Sequence, residues 1–97
     1  VKGGCVYFMT NYNNNVLYVG VTSELSARVY HIKQTTFLTH LPQNTDYKLV
    51  YFESFPSIEE AIQREKDIKN WKRKWKNELI TKANPQWKDL SNEIEGL

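Results

Sequence analysis

Glu65 is the residue whose placement first suggests chemistry. In SIEEAIQREKDIKNW, residues 57–71, a helical turn of about 100° per residue gathers Ile58, Ala61, Ile62 and Ile68 on one side, and Glu65 falls in the middle of it. A carboxylate there loses hydration unless it finds a partner, and an unpaired buried charge is costly. A salt bridge to Arg28 is the structural option. Tyr7 and Tyr18 lie in two short β-branched and aromatic runs, CVYFMT and NVLYVG, separated by the turn-rich NYNNN. If Thr10 pairs with Asn15, the register places Tyr7 directly opposite Tyr18, with Cβ atoms roughly 5 Å apart. Two phenols could then converge on one small ligand, and Gly20 on the same strand face would leave space beside them. Arg28 lies beside the Leu25, Val29, Ile32 stripe of a following helix, and His31 is one turn on. Each residue also has an ordinary reading: half-buried strand tyrosines, a snorkelling arginine, a solvated histidine, and a helix terminator for Asn84 before Pro85.

The elements that must position these groups follow from pattern. The first two runs read as a β-hairpin; TSEL caps a short helix over LSARVYHIK; TTFLTHLPQNTD is a loop; YKLVYFESF is a third strand. Ser57, with Glu60 three residues on, forms a capping box for a long helix that runs towards Lys82 with a bend near residues 70–73, and Asn84-Pro85 ends it. Trp71, Trp75 and Trp87 read as packing aromatics, with stacking on bases as the alternative. The tail packs through Trp87 and Leu90 and then frays. The order is strand, strand, helix, strand, helix, helix. An α+β architecture follows, a small three-stranded antiparallel sheet flanked by helices.

Composition bounds the rest. At 97 residues, 40% hydrophobic, the chain is expected to be a single domain with its core from about residue 4 to 90 and a tail over 91–97. A lone Cys5 cannot staple the domain or supply a zinc cluster. With no leader-like or membrane-spanning run, the expectation is a soluble cytoplasmic protein. The net charge of +2 is modest but uneven, because Arg64, Lys66, Lys69, Lys72, Arg73, Lys74 and Lys76 are opposed only by Glu65 and Asp67. That run is either a solvated helical face or a phosphate-facing surface. No Ser/His/Asp triad, glycine-rich phosphate loop or zinc-ligand spacing is present.

Taken together, GCVYFMTN, VLYVGVTSELSARV, AIQREKDIKNW and KANPQW closely resemble a GIY-YIG nuclease domain, nearest to small stand-alone members of the UPF0213 type. The name-giving triplets stand as Cys5-Val6-Tyr7 and Tyr18-Val19-Gly20. The resemblance implies metal-assisted hydrolysis of a phosphodiester. Tyr7 matches the tyrosine that helps deprotonate the attacking water, Tyr18 the one that helps position water or phosphate, and Arg28 the arginine that steadies the scissile phosphate. Glu65 matches the ligand of a single divalent ion, Mg²⁺ or Mn²⁺, and Asn84 the asparagine that supports the site. Two positions depart from the pattern. Ile32 stands where close relatives have a histidine, with His31 next to it and Lys33 as a partial substitute, and Ala27 replaces a second arginine.

The expected function is therefore a metal-dependent endonuclease on DNA, including branched, nicked or flapped forms, with Lys33, Lys69, Lys72, Arg73 and Lys76 contacting the nucleic acid. Modest charge implies weak intrinsic affinity, which a protein partner or a homodimer would supplement. The alternatives are a nucleic-acid-binding module of the same fold with weakened or lost cleavage, and a small protein-interaction domain. No membrane role is expected.

Overall fold

The computed structural model describes residues 3–38 and 47–94. Strands β1 (Gly4–Asn11), β2 (Leu17–Thr22) and β3 (Tyr47–Phe55) form an antiparallel sheet in the order β2-β1-β3. Helix α1 (Leu25–Leu38) follows β2, and α2 (Ile58–Lys69) and α3 (Arg73–Ala83) follow β3. This is the expected α+β order. No helix among the described residues is long and apolar enough to cross a membrane.

Alternation along β1 sends its side chains to two separate cores. Val6 and Phe8 join Val19, Val50, Ala61, Ile68 and Ile80, so α2 and α3 cover that face. Tyr7 and Met9 join Leu25, Val29, Leu49 and Ile94, so α1 and the C-terminal segment cover the other. The predicted α1 stripe holds, with Leu25 and Val29 buried and Ile32 packed against them.

Several expectations change in detail. The hairpin loop is longer than a Thr10–Asn15 closure allows, because Thr10 pairs with Leu17. The cause is Asn11, whose side-chain oxygen accepts from the Asn15 and Val16 amides at 2.9 and 3.1 Å and holds the loop open. Helix α1 takes in residues 35–38 from the start of the expected loop, while residues 39–46 lie outside the described residues. Ser57 caps α2 as expected, accepting from the Glu60 amide. The expected bend is a full break: the Asn70 and Trp71 amides turn back to Asp67 and Ile68, and Lys72 is extended before α3 begins. Ile62 is exposed rather than part of the apolar stripe, since Ala61 and Ile68 face the sheet and Ile62 lies a further step round the helix. The tail does not fray at once: Ser91–Glu93 makes a 3-10 turn and Ile94 is buried.

Two polar clamps fix the scaffold. On β3, Glu53 accepts both Arg64 donors of α2 at 2.9 and 3.0 Å and the Tyr51 hydroxyl at 2.6 Å. Burial pushes the Glu53 carboxyl up, but these bonds outweigh it and hold it below the ordinary carboxylate range. At the outer edge of β3, Asp89 accepts from the Leu49 amide, Ser91 and Lys33, while the Leu90 amide donates to Leu49. Burial opposes the charge of Asp89 as well, yet the same donors hold its carboxyl low. A lowered carboxyl contributes stability that is present above the unfolded value near pH 4 and is lost as pH falls through the folded value. Asp89→Asn should therefore melt below wild type at pH 7, and the gap should close on acidification below about pH 4. A gap independent of pH in thermal melts would show that the charge of Asp89 does not hold the tail.

Candidate active site

The site is assembled around one glycine. Tyr7 is paired with Gly20, not with Tyr18, which pairs with Met9. The two-residue difference from the expected register keeps both tyrosines on one face, since side-chain direction repeats every second residue. Their rings become diagonal neighbours with centroids 6.3 Å apart. A Cβ on Gly20 would overlap the Tyr7 phenol, so the glycine is what lets that ring lie across β2. The space therefore serves the phenol of Tyr7 rather than that of Tyr18. Tyr7 is fully buried, whereas Tyr18 is 47% exposed.

From α1, Arg28 donates its Nε–H to the Tyr7 hydroxyl at 3.2 Å. Arg28 is otherwise exposed, with Tyr18 also interacting with its guanidinium, and the group, with five N–H donors, keeps donors for an anion. Burial raises the Tyr7 phenol above its ordinary range; the Arg28 hydrogen bond opposes this and Tyr18 adds to it. At neutral pH Tyr7 is thus an un-ionised phenol held by a guanidinium.

Glu65 is connected to this group through a neighbour rather than directly. Tyr7 and Tyr18 share the α1 face of the sheet, whereas α2 packs on the opposite face. The sheet does not present Glu65 and the tyrosines on one side, as a carboxylate aimed straight at the sheet would require. Instead Glu65 lies on the flank of α2 away from the Arg64–Glu53 clamp, next to Ala61 and Ile68, which face the sheet. The connection runs through Lys69, whose Nζ is 2.9 Å from Glu65 Oε2. Lys69 is held above its ordinary range, first by the Glu65 hydrogen bond and charge and then, more weakly, by Tyr18 and Tyr7. Its ammonium therefore stands within electrostatic reach of carboxylate and phenols together. Among the described residues the ion-pair partner of Glu65 is Lys69 rather than Arg28, a pairing signalled in the sequence by Glu-to-Lys spacing of four on a helix.

The donor set suits a hard cation. No three carboxylate, imidazole or thiolate groups converge among the described residues, which argues against a closed all-protein site. One carboxylate, only 14% exposed and already holding a positive charge, fits an ion that keeps most of its waters.

The other sequence candidates are placed as follows. His31 is exposed on α1, and Ile32 occupies the core-facing position beside Leu25 and Val29. Asn84 is 4% exposed, and its amide is fully engaged: Nδ2 donates to Val50 O and Lys88 O, and the side-chain oxygen accepts from the Lys88 amide. It ties the end of α3 to the bulge in β3 and leaves no donor for a substrate. Lys33 is paired with Asp89 at 2.8 Å. Arg73 is bonded to Asn77 and to the Asn14 carbonyl of the hairpin loop. Lys72 is exposed and Lys76 half-buried on the outer side of the α2–α3 break.

Comparison with known proteins bears on this arrangement. The GIY-YIG catalytic domain model matches residues 3–78. A solution NMR structure of a UPF0213 protein from Bacillus halodurans superposes with a TM-score of 0.57 at 22% identity, covering 96% of this chain and 95% of that one, which shows a shared fold. No curated protein matches the sequence. A catalytic-domain match that takes in both tyrosines, Arg28 and Glu65 means that the chain belongs to the GIY-YIG family of nuclease domains.

Proposed function

We propose that this protein is a divalent-metal-dependent endonuclease that hydrolyses DNA phosphodiester bonds, using magnesium or manganese held by Glu65. The observation that carries the reading is the Tyr7–Arg28 hydrogen bond, joined to the Glu65–Lys69 pair by the Lys69 ammonium, which lies within electrostatic reach of Tyr18 and Tyr7. Arg28 binds a non-bridging phosphate oxygen with its free donors while its Nε keeps the Tyr7 oxygen in place. The ionised fraction of Tyr7 accepts a proton from the attacking water and becomes the neutral phenol, and Tyr18, 47% exposed, orients that water or the phosphate. The ion supplies charge neutralisation at the phosphate when bound. Glu65 would hold that ion in place of its Lys69 partner, and the freed Lys69 ammonium would be available to the substrate's negative charge. Asn84 acts through the scaffold, by fixing the α3 terminus against β3.

Purified protein incubated with branched, flapped, nicked and plain duplex DNA should cut at least one form in Mg²⁺ or Mn²⁺ and none in chelator. Tyr7→Phe should slow cleavage by roughly 10²-fold or more. Because the Tyr7 phenol is raised above its ordinary value near 10, its ionised fraction grows about tenfold per pH unit throughout the neutral range. The rate should climb with pH from 6 to beyond 9 without levelling, and a plateau at neutral pH would remove Tyr7 as the proton acceptor. Failure to cut any substrate would favour the second reading, a binding module of the same fold. What favours that reading is Ile32, packed into the core where a histidine is expected.

A further inference from the structure

We propose that Trp75, on α3, is a stacking platform for an unpaired base of single-stranded DNA. Trp75 is 50% exposed, although its helical spacing from Trp71 and Leu79 reads as core. It is nevertheless rigidly seated. Its ring packs edge-on against Trp71, with centroids 6.4 Å apart and planes at 77°. Trp71 in turn lies under the Arg64 guanidinium, 5.2 Å from the ring centroid, and Arg64 is clamped to Glu53 on β3. The indole thus stands on a relay of side chains that reaches the sheet. In an edge-to-face pair, Trp71 can cover at most one broad face of Trp75. A ring already fixed in place loses little freedom when a base stacks on it.

The surroundings select the occupant. Lys72 lies one turn before Trp75, Lys74 and Lys76 flank it, and none of the three is in an ion pair among the described residues. Glu78, one turn on, is the single acidic neighbour on that side. A protein interface is depleted of lysine at its core, whereas an aromatic face rimmed by lysines is what a polynucleotide strand requires: a π-surface for the base and cations for its phosphates. Duplex DNA keeps its bases stacked on one another and cannot present one to the ring, so the ligand is a single-stranded segment. Lys69, whose ammonium lies within electrostatic reach of the phenols of the candidate active site, is only six positions upstream of Trp75 in the sequence. This deepens the nuclease reading by naming a substrate with an unpaired stretch, and it rests on that reading only for its biological use.

The test measures binding in chelator, so that the outcome is independent of cleavage. A 12-nucleotide single strand carrying 2-aminopurine, and a blunt duplex of the same sequence, are titrated with the full chain by anisotropy and by 2-aminopurine quenching. Trp75→Ala should weaken single-strand binding by on the order of 10- to 100-fold and lose the quenching, with duplex binding changed less than about twofold. Trp75→Phe should keep most of both, and an unchanged circular dichroism spectrum guards against loss of fold. Equal loss on single strand and duplex, or no loss on either, would overturn the proposal. So would wild-type self-association, seen by sedimentation, that Trp75→Ala abolishes, because the ring would then be an interface between copies.

Discussion

Glu65→Gln is expected to abolish metal-dependent cleavage while leaving the fold intact. The carboxylate is 14% exposed and holds Lys69 at 2.9 Å, whereas the Lys69 side chain is 54% exposed. Glutamine matches glutamate in volume, so the Ala61 and Ile68 packing around it is undisturbed. The released ammonium has water within reach, and an i,i+4 helix pair with one largely exposed partner contributes only about 0.3–0.5 kcal/mol. The thermal midpoint should therefore move by no more than a few degrees. Activity should fall much further, by roughly 10³-fold, because a neutral amide would hold the proposed divalent ion far less well than the carboxylate. Single-turnover cleavage and a thermal melt on the same preparation separate the two effects. Cleavage at the wild-type rate would remove Glu65 from the site; loss of activity together with a large drop in melting temperature would make it a structural residue. The order of magnitude matters because Lys69 offers no substitute for the ion.

The strands were legible because their residues are β-branched or aromatic in runs bounded by turn formers, and β3 begins and ends where YKLVYFESF does. Ser57 was legible because a cap is a local device. The register of the hairpin was not. Asn11 sets it with a side chain that bonds two amides across the loop, and nothing in NYNNN distinguishes the asparagine that does this from its neighbours. What survived was parity: an error of two residues leaves Tyr7 and Tyr18 on the same face. The direction of approach of Glu65 was equally out of reach. A helical wheel says which residues share a side of α2, but not which face of the sheet α2 covers, and the two faces differ only in which alternate residues of β1 they receive. Ile94 shows the same limit from the other end of the chain. Its burial depends on Asp89 and Leu90 tying the tail to β3, contacts more than 35 residues apart in sequence. Asn84 read as a helix terminator, and its bonds to Val50 and Lys88, partners 34 and 4 residues away, add a tie between the end of α3 and β3 that the Asn-Pro pair did not signal.

Gly20→Ala is the substitution in which scaffold and site should fail together. In an ordinary strand position alanine is favoured over glycine by roughly 0.5–1 kcal/mol, since glycine has more freedom to lose. At position 20 the added methyl would overlap the Tyr7 phenol, a ring with no exposed surface, bonded to Arg28 and packed in the same core as Met9, Leu25 and Val29. Neither the ring nor the backbone of the paired strand can yield without breaking other contacts, so overpacking should dominate at about 1–3 kcal/mol. That corresponds to a fall in melting temperature of roughly 4–8 °C per kcal/mol for a domain of this size. Displacing the phenol also moves the Tyr7 oxygen away from Arg28, and a misplacement near 1 Å can slow a reaction by about 10²-fold. The nearest atoms to the added carbon are the hydroxyl oxygen and the ring carbon that bears it. Removing the hydroxyl should therefore relieve part of the clash, making Gly20→Ala with Tyr7→Phe more stable than Gly20→Ala alone, although both variants should cleave at least about 10²-fold more slowly than wild type. A double-mutant cycle read by thermal melts decides the matter. Additive effects would mean that Gly20 and the Tyr7 hydroxyl do not meet, and the account of why a glycine closes the second triplet would be wrong.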